Sequence, residues 1–181
     1  MSEPLTPEEE RAALQLARRA LEHYFETGEN LRSPVVTGPL KEKRGAFVTL
    51  HVDGELRGCI GYPLPVKPLD ETIIEMAVAA ASQDTRFEPL EVKELKRLKI
   101  EISVLSLPEP VSDPGQVRVG GHGIIVSKGF HRGLLLPQVP VEHAWDRETY
   151  LGHGCLKAGL PPDAWKKGAK IEVFSAQVFS E

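Results

Sequence analysis

Apolar residues near the start of the chain recur with the period of an amphipathic helix. The residues at this spacing are Leu14, Ala17, Leu21 and Tyr24. The segment Thr6-Pro7-Glu8-Glu9 has the composition of a helix start, because a hydroxyl cap is followed by proline and by acidic residues at the positive end of the helix dipole. Gly28 is suited to end the helix. The pattern therefore predicts one amphipathic helix that ends near Gly28.

The next segment alternates between apolar and polar residues, as a half-buried strand does. This alternation covers residues 46–52, and residues 55–60 are predicted to return beside it as a second strand. Asp53-Gly54, which joins the two segments, is a favoured two-residue hairpin turn. The sequence therefore predicts a tight β-hairpin.

The register of this hairpin decides which residues share a face of the sheet. With a two-residue turn, Leu50 pairs with Arg57, and Val48 pairs with Cys59. Paired residues of antiparallel strands point to the same side. We therefore expect Arg57 and Cys59 to lie on one face with Val48 and Leu50.

The rest of the chain alternates helical and strand-like segments joined by loops rich in proline and glycine. The pattern predicts helices over 70–82 and 146–158, strands over 98–107, 123–127, 133–136 and 170–179, and loops over 83–89 and 108–121. Helices interleaved with hairpin strands indicate an α+β fold in which helices flank an antiparallel sheet. A length of 181 residues suits a single domain.

Composition and charge narrow the classes of partner. The net charge is −4 and basic residues are mixed with acidic ones, so nucleic acid is disfavoured as a partner. No apolar run approaches the ~20 residues that a membrane span needs, so we expect no membrane partner. The first residues do not resemble a signal peptide, and we expect a cytoplasmic protein. The 15 prolines, beside two cysteines and two methionines, are typical of a thermophilic source.

Cys59 is the residue whose surroundings most clearly suggest chemistry. It lies between Gly58 and Ile60, with Gly61 next, so a ligand or another backbone can approach the thiol closely. A guanidinium on the same face, that of Arg57, would favour the thiolate. The alternative is a small buried hydrophobic residue, because free cysteines are among the most buried residues.

Two other segments carry candidate polar groups. His122 is surrounded by glycines in Gly120-Gly121-His122-Gly123, where it can serve as a general base or a ligand, or as a turn histidine bonded to the backbone. Asp84 and Arg86 lie in the predicted loop 83–89 beside Phe87. They form either a clamp for an anion or an ion pair that fixes the loop.

The sequence contains no motif for a metal or a cofactor. Two cysteines are too few for a four-thiolate zinc site, and the chain lacks phosphate-loop, dinucleotide, nucleophile-elbow and paired-histidine zinc motifs. A metal held by Cys59, His122 and Cys155 is a minor alternative that the spacing does not support. We therefore expect no cofactor and no stoichiometric metal.

A series of motifs in the chain resembles the AMMECR domain family, named for a human chromosomal-region protein. The signature is Leu56-Arg57-Gly58-Cys59-Ile60-Gly61, and matches continue in order over residues 45–165. They include Asp84-Thr85-Arg86-Phe87-Glu88-Pro89, Ile100-Glu101-Ile102-Ser103-Val104-Leu105, Gly121-His122-Gly123, Leu135-Leu136-Pro137-Gln138-Val139 and Lys157-Ala158-Gly159-Leu160.

This resemblance implies a fold of two lobes with a cleft near the signature strand. The larger lobe would hold both termini and an antiparallel sheet, and the smaller lobe would be a middle insertion in the single domain 1–181. The resemblance does not supply a reaction. Family members are often encoded beside, or fused to, Memo-type and radical-SAM-type proteins, which implies a shared pathway and a Memo-type partner.

Two classes of function are consistent with these observations. The first is an enzyme that acts through a Cys59 thiolate, with Arg57 favouring the thiolate and His122 as acid or base. Arg86 would meet an anionic group of the substrate. The ligand-binding residues of this site are expected to be Gly58, Gly61, Asp84 and Arg86. The second class is a module or adaptor that binds a small molecule or a protein without chemistry.

Overall fold

The computed structural model describes residues 3–35 and 37–181, and these form two compact units. The terminal unit contains the described residues up to Leu105 together with Gln177–Glu181, and the middle unit contains Ser106–Ala176. The first two residues, on which the signal-peptide expectation partly rests, lie outside the described residues. Each unit has its own sheet and its own hydrophobic core.

Helix α1, Pro7–Thr27, opens the terminal unit as the sequence predicts. The hydroxyl of Thr6 accepts the backbone N–H of Glu9, and the Glu9 carboxylate accepts the backbone N–H of Thr6, so the two residues form a capping box. Gly28 ends the helix in the left-handed conformation, with φ of 76°. Leu14, Ala17 and Leu21 of the predicted stripe are buried and Tyr24 is half-buried, which confirms the amphipathic pattern.

The sheet of the terminal unit contains β1 (Ala46–Val52), β2 (Glu55–Tyr62), β3 (Leu98–Leu105) and β8 (Ala176–Ser180). These strands lie in the order β2-β1-β3-β8. One face buries the apolar residues of β1 and β3 in a core shared with α1 and with helix α2, Leu69–Ser82. The other face carries partly exposed residues, so we call it the open face.

The predicted register of the β1–β2 hairpin is wrong beyond its first pairs. Asp53 and Gly54 form the turn with positive φ, but a β-bulge follows, so that Leu50 pairs with Gly58 and Thr49 pairs with Cys59. One inserted residue moves every later side chain of a strand to the other face. Cys59 therefore lies on the open face rather than on the core face with Val48 and Leu50.

Helix α2 covers the core face of β2 at Gly58. A β-carbon added to Gly58 would lie 2.0 Å from the carbonyl oxygen of Ala80 in α2, so only glycine permits this approach. The predicted helix over 70–82 is confirmed, and its alanines allow α2 to pack closely on the strands. A short 3-10 helix, Val92–Arg97, then leads into β3.

The middle unit contains a second antiparallel sheet, built from β4 (Glu109–Val111), β5 (Gly123–Lys128), β6 (His131–Leu135) and β7 (Lys170–Phe174). These strands lie in the order β4-β7-β5-β6. The helices of this unit are α3 (Val139–Glu142) and α4 (Arg147–Lys157). Short 3-10 helices cover Pro39–Lys41 in the terminal unit, and Pro114–Gln116 and Ala164–Lys166 in the middle unit. Asp146 caps α4 through the backbone N–H of Thr149, as its position predicts.

Two expectations for these strands are wrong. The predicted final strand 170–179 is divided at Ser175, because β7 pairs with β4 and β5 whereas β8 lies beside β3 in the other sheet. Ser175 instead exchanges two hydrogen bonds with Ser106. The predicted loop 108–121 contains β4, which pairs with β7. Proline lacks a backbone N–H but is tolerated in an edge strand, and Pro110 lies in one.

The predicted α+β fold with antiparallel sheets is confirmed. Within the described ranges, no helix is both long enough and apolar enough to cross a bilayer.

Gly58→Ala is expected to lower the free energy of unfolding by about 1–3 kcal/mol, because the added methyl group would collide with the backbone of α2. Urea unfolding followed by circular dichroism measures the change. Gly121→Ala is the control, since its added β-carbon would meet Arg118 only at an ordinary 3.6 Å and its φ is not positive. Equal effects of the two substitutions would contradict the close packing at Gly58.

Candidate functional site

The Cys59 thiol lies half-buried on the open face of the terminal sheet. Its cross-strand neighbour Thr49 places a hydroxyl 3.1 Å from Sγ, and this hydroxyl donates a hydrogen bond to the sulfur. A hydrogen-bond donor favours the charged form of a thiol over the neutral form. The bulge in β2 creates this pair, because it brings Thr49 opposite Cys59.

Asp84 binds the backbone of Cys59 at the edge of the sheet. Strand β2 is an edge strand, and the Cys59 N–H donates a 2.9 Å hydrogen bond to Oδ2 of Asp84. Asp84 follows α2 by two residues and is only 7% exposed. The carboxylate therefore satisfies an edge-strand donor that has no neighbouring strand.

Arg86 completes the ion pair with Asp84. Its Nε and Nη2 lie 3.0 and 2.7 Å from the two carboxylate oxygens, and its backbone N–H also donates to Oδ1. The hydrogen bond from Arg86 holds the pKa of Asp84 well below its usual range, although burial opposes this shift. The same hydrogen bond raises the pKa of Arg86, although burial opposes this shift.

The Arg86 guanidinium remains accessible, because its side chain is 58% exposed. It also lies 5.4 Å from the centre of the Phe87 ring. The expected ion pair that fixes the loop is thus present. Binding of an anion by Arg86 or Asp84 stays a prediction.

Arg57 makes its contacts at the bulge. Its Nε and Nη2 donate to the two oxygens of Glu94 at 2.9 and 3.0 Å, and its guanidinium also donates to the carbonyls of Glu88 and Pro89. The pKa of Glu94 is lowered, chiefly by the hydrogen bond from Arg57. That Arg57 favours the Cys59 thiolate stays a prediction. In the structure its guanidinium donates to four other acceptors, the two Glu94 oxygens and the two carbonyls.

The two glycines of the signature strand are closely surrounded by protein atoms. Gly58 meets Ala80 on the core face, and a β-carbon at Gly61 would lie 2.2 Å from the ring of Phe47 on the open face. Both glycines therefore have a packing reason within the terminal unit. A ligand contact through their backbone stays a prediction.

His122 belongs to the middle unit, whereas Cys59 belongs to the terminal unit. Its Nδ1 lies 3.2 Å from the backbone nitrogen of Arg118, and its Nε2 lies 3.0 Å from Nη2 of the same residue. Burial, and then the charge of Arg118, lower the pKa of His122, so the neutral imidazole is favoured. These contacts match the turn histidine considered from the sequence. Its acid or base role stays a prediction.

Cys155 differs from Cys59 in its surroundings. It is fully buried in α4, and burial raises the pKa of its thiol. Among the described residues, no group of three or more His, Cys, Asp or Glu side chains is placed to hold a metal ion.

Sequence reasoning missed two residues of this site. Thr49 lies next to Cys59 only because of the bulge, which local alternation does not reveal. Glu94 lies in a stretch of mixed charges, yet both of its carboxylate oxygens accept hydrogen bonds from Arg57. The capping pattern Glu91-x-x-Glu94 was the available signal that residues 92–97 are ordered.

Asp84→Asn is expected to lower the free energy of unfolding by about 1–3 kcal/mol at pH 7, because it removes a buried charge-assisted contact with Arg86. The pKa of Asp84 is lowered in the folded protein, so its stabilisation is complete above the ordinary carboxyl pKa of about 4. This stabilisation is lost as the pH falls toward the lower folded pKa.

The difference between the native protein and Asp84→Asn should therefore shrink below about pH 4. Urea unfolding at several pH values measures this difference. Glu55→Gln, at an exposed position of β2, serves as the control. A difference that grows toward acidic pH would contradict the assignment.

The sequence and the fold both match known proteins. A family model described as AMMECR1 matches residues 14–179. Protein MK0488 of Methanopyrus kandleri is 50% identical over 100% of this chain and 92% of its own, and Protein MJ0810 of Methanocaldococcus jannaschii is 47% identical over 98% and 92%. The crystal structure of uncharacterized protein PH0010 from Pyrococcus horikoshii is 43% identical, covers 98% of this chain and 93% of that chain, and has a TM-score of 0.80. These matches confirm the resemblance seen in the motifs, and the chain belongs to the AMMECR1 family.

Proposed function

We propose that this protein is a thiol-dependent enzyme in which Cys59 is the nucleophile and the substrate carries an anionic group. One observation carries the proposal: the half-buried Cys59 thiol accepts a hydrogen bond from Thr49 beside the Asp84–Arg86 pair. Cysteine reacts as the thiolate, and hydroxyl donors and guanidinium groups favour that form.

The surroundings of Cys59 suggest how the thiolate would be maintained. Asp84 is unsuited to act as a base, because its pKa is low and its carboxylate already accepts hydrogen bonds from Arg86 and from the Cys59 N–H. Thr49 is a donor and would stabilise negative charge on Sγ. We infer that reactivity depends on the charge state of the thiol rather than on a base bonded to it within this unit.

Arg86 supports the choice of an anionic substrate. Asp84 neutralises part of its charge and fixes its orientation, but more than half of the side chain faces solvent. A guanidinium held in this way can bind a carboxylate or a phosphate through its outer N–H groups. The anchored molecule would then be held beside the Cys59 thiolate.

Binding without chemistry is the second candidate. It is favoured by the many hydrogen bonds of Asp84 and Arg57, which fix the loop and the strand as a rigid surface. In this case Cys59→Ser would retain the ligand in native mass spectra. The Memo-type partner implied by the family resemblance is a further proposal, and co-purification from cells would test it.

The rate of Cys59 alkylation by iodoacetamide, followed by mass spectrometry in the folded protein, tests the enzyme proposal. We expect Cys59 to react at neutral pH while the buried Cys155 does not. Arg86→Gln and Thr49→Val should each slow the reaction by about three- to tenfold, because each removes a group that favours the thiolate.

Arg97→Gln is the matched control, because Arg97 is also an exposed arginine of the terminal unit paired with an aspartate, Asp53. It should leave the rate unchanged. The proposal fails if Cys59 reacts no faster than Cys155 at any pH, or if Arg86→Gln and Arg97→Gln behave alike.

A further inference from the structure

The middle unit contains a pocket of about 380 Å³ between α4 and the 3-10 helix Ala164–Lys166. This volume falls within the range of small-molecule sites. The lining combines apolar and aromatic residues with charged ones. Leu156, Pro162, His153 and Trp165 belong to the first group, and Glu148, Asp163 and Lys166 belong to the second.

Stacked aromatic rings support His153, which lines the pocket. The His153 ring lies 3.8 Å from the Trp145 ring at an interplanar angle of 7°, and Trp145 in turn stacks on His143 at 4.8 Å. Both tryptophans of the chain thus lie at or directly behind this pocket. A wall supported in this way is formed before a ligand arrives, which lowers the entropic cost of binding.

The contacts of Lys166 indicate which chemical group would suit this pocket. Its ammonium lies 4.7 Å from the centre of the Trp165 ring and 3.7 Å from a carboxylate oxygen of Glu148. An aromatic face and a carboxylate together form a favourable environment for an ammonium group.

The protein's own ammonium is held loosely at this position. The side chains of Lys166 and Glu148 are 53% and 73% exposed, and exposed ion pairs contribute little stability. Asp163 is the other carboxylate of the lining, and its Oδ2 is already paired with Nζ of Lys167 at 2.6 Å. If Lys166 turns into solvent, Glu148 and Asp163 are the charged groups that remain in the lining.

We propose that this pocket binds a small primary amine with an apolar chain. The ammonium of the ligand takes the position of the Lys166 ammonium between Trp165 and Glu148, and its chain lies against Leu156 and Pro162. Lys166 is then a competitor that the ligand displaces. This site is separate from Cys59 and does not depend on the enzyme proposal.

Three probes of equal chain length test the charge preference: hexylamine, hexanol and hexanoate. The indole N–H signals of the two tryptophans are followed by NMR in the whole protein, and Trp145→Phe and Trp165→Phe identify them. We expect hexylamine to shift the Trp165 signal to saturation. Hexanol should bind more weakly, and hexanoate should have no effect.

Two substitutions at exposed positions should change hexylamine affinity in opposite directions. Lys166→Met should tighten binding by about two- to fivefold because it removes the competitor, and Glu148→Gln should weaken it by a similar factor. Lys157→Met and Glu142→Gln, also at exposed positions of this unit, are controls of equal charge change that should have no effect.

Several results would overturn the proposal. Binding of hexanoate in preference to hexylamine would show that Lys166 binds an anion instead. Weaker hexylamine binding in Lys166→Met would show that Lys166 does not compete for the amine position. A shift of the Trp145 signal without a shift at Trp165, or no saturable shift with any probe, would show that the pocket does not take an amine.

Discussion

The close contact between Gly58 and the carbonyl of Ala80 determines much of the terminal unit. It requires strand β2 to turn Gly58 toward helix α2, and the bulge at Arg57 is what achieves this orientation. Because side chains alternate, Cys59 must then face the opposite side, beside Thr49. Helix α2 ends at Ser82, two residues after Ala80, so the same contact brings the loop that carries Asp84 to the backbone of Cys59. The contact between Gly58 and Ala80 therefore accounts both for the packing of α2 on β2 and for the placement of Cys59 beside Asp84.

Charged side chains then complete the edge of the sheet. In the part of the chain that the structure describes, strand β2 has a neighbouring strand on one side only, and such an edge exposes backbone groups that would otherwise attract another strand. Asp84 accepts the N–H of Cys59, and Arg57 binds Glu94 beside the bulge. Since both carboxylates are held by arginines, their charges are balanced close to the backbone. The thiol is thus placed in a rigid polar environment rather than in the apolar core that surrounds Cys155.

Elements with strong local signals could be predicted from the sequence. The capping box at Thr6, the left-handed Gly28 and the turn at Asp53-Gly54 each act through neighbouring residues. The ends of α1 and the position of the hairpin turn were therefore predicted correctly. The division at Ser175 could not be predicted, because the alternating pattern runs through it unbroken while the two halves join different sheets. The candidate site was predicted in part: Cys59, Asp84 and Arg86 do lie together, whereas Thr49 was missed.

By itself, the sequence determined the fold class, the bounds of α1, α2 and α4, the turn at Asp53-Gly54 and the family, because these depend on periodicity, capping and motifs that are local in the chain. Only the tertiary structure decided the face on which Cys59 lies, the partner of Arg57 and the pocket that joins His153 with Trp165. The physical reason is that one unpaired residue in a strand inverts all later side chains, and contacts between distant segments select that bulge. The residues of β2 alone do not reveal that Ala80 packs against Gly58, yet this contact fixes the orientation of the Cys59 thiol.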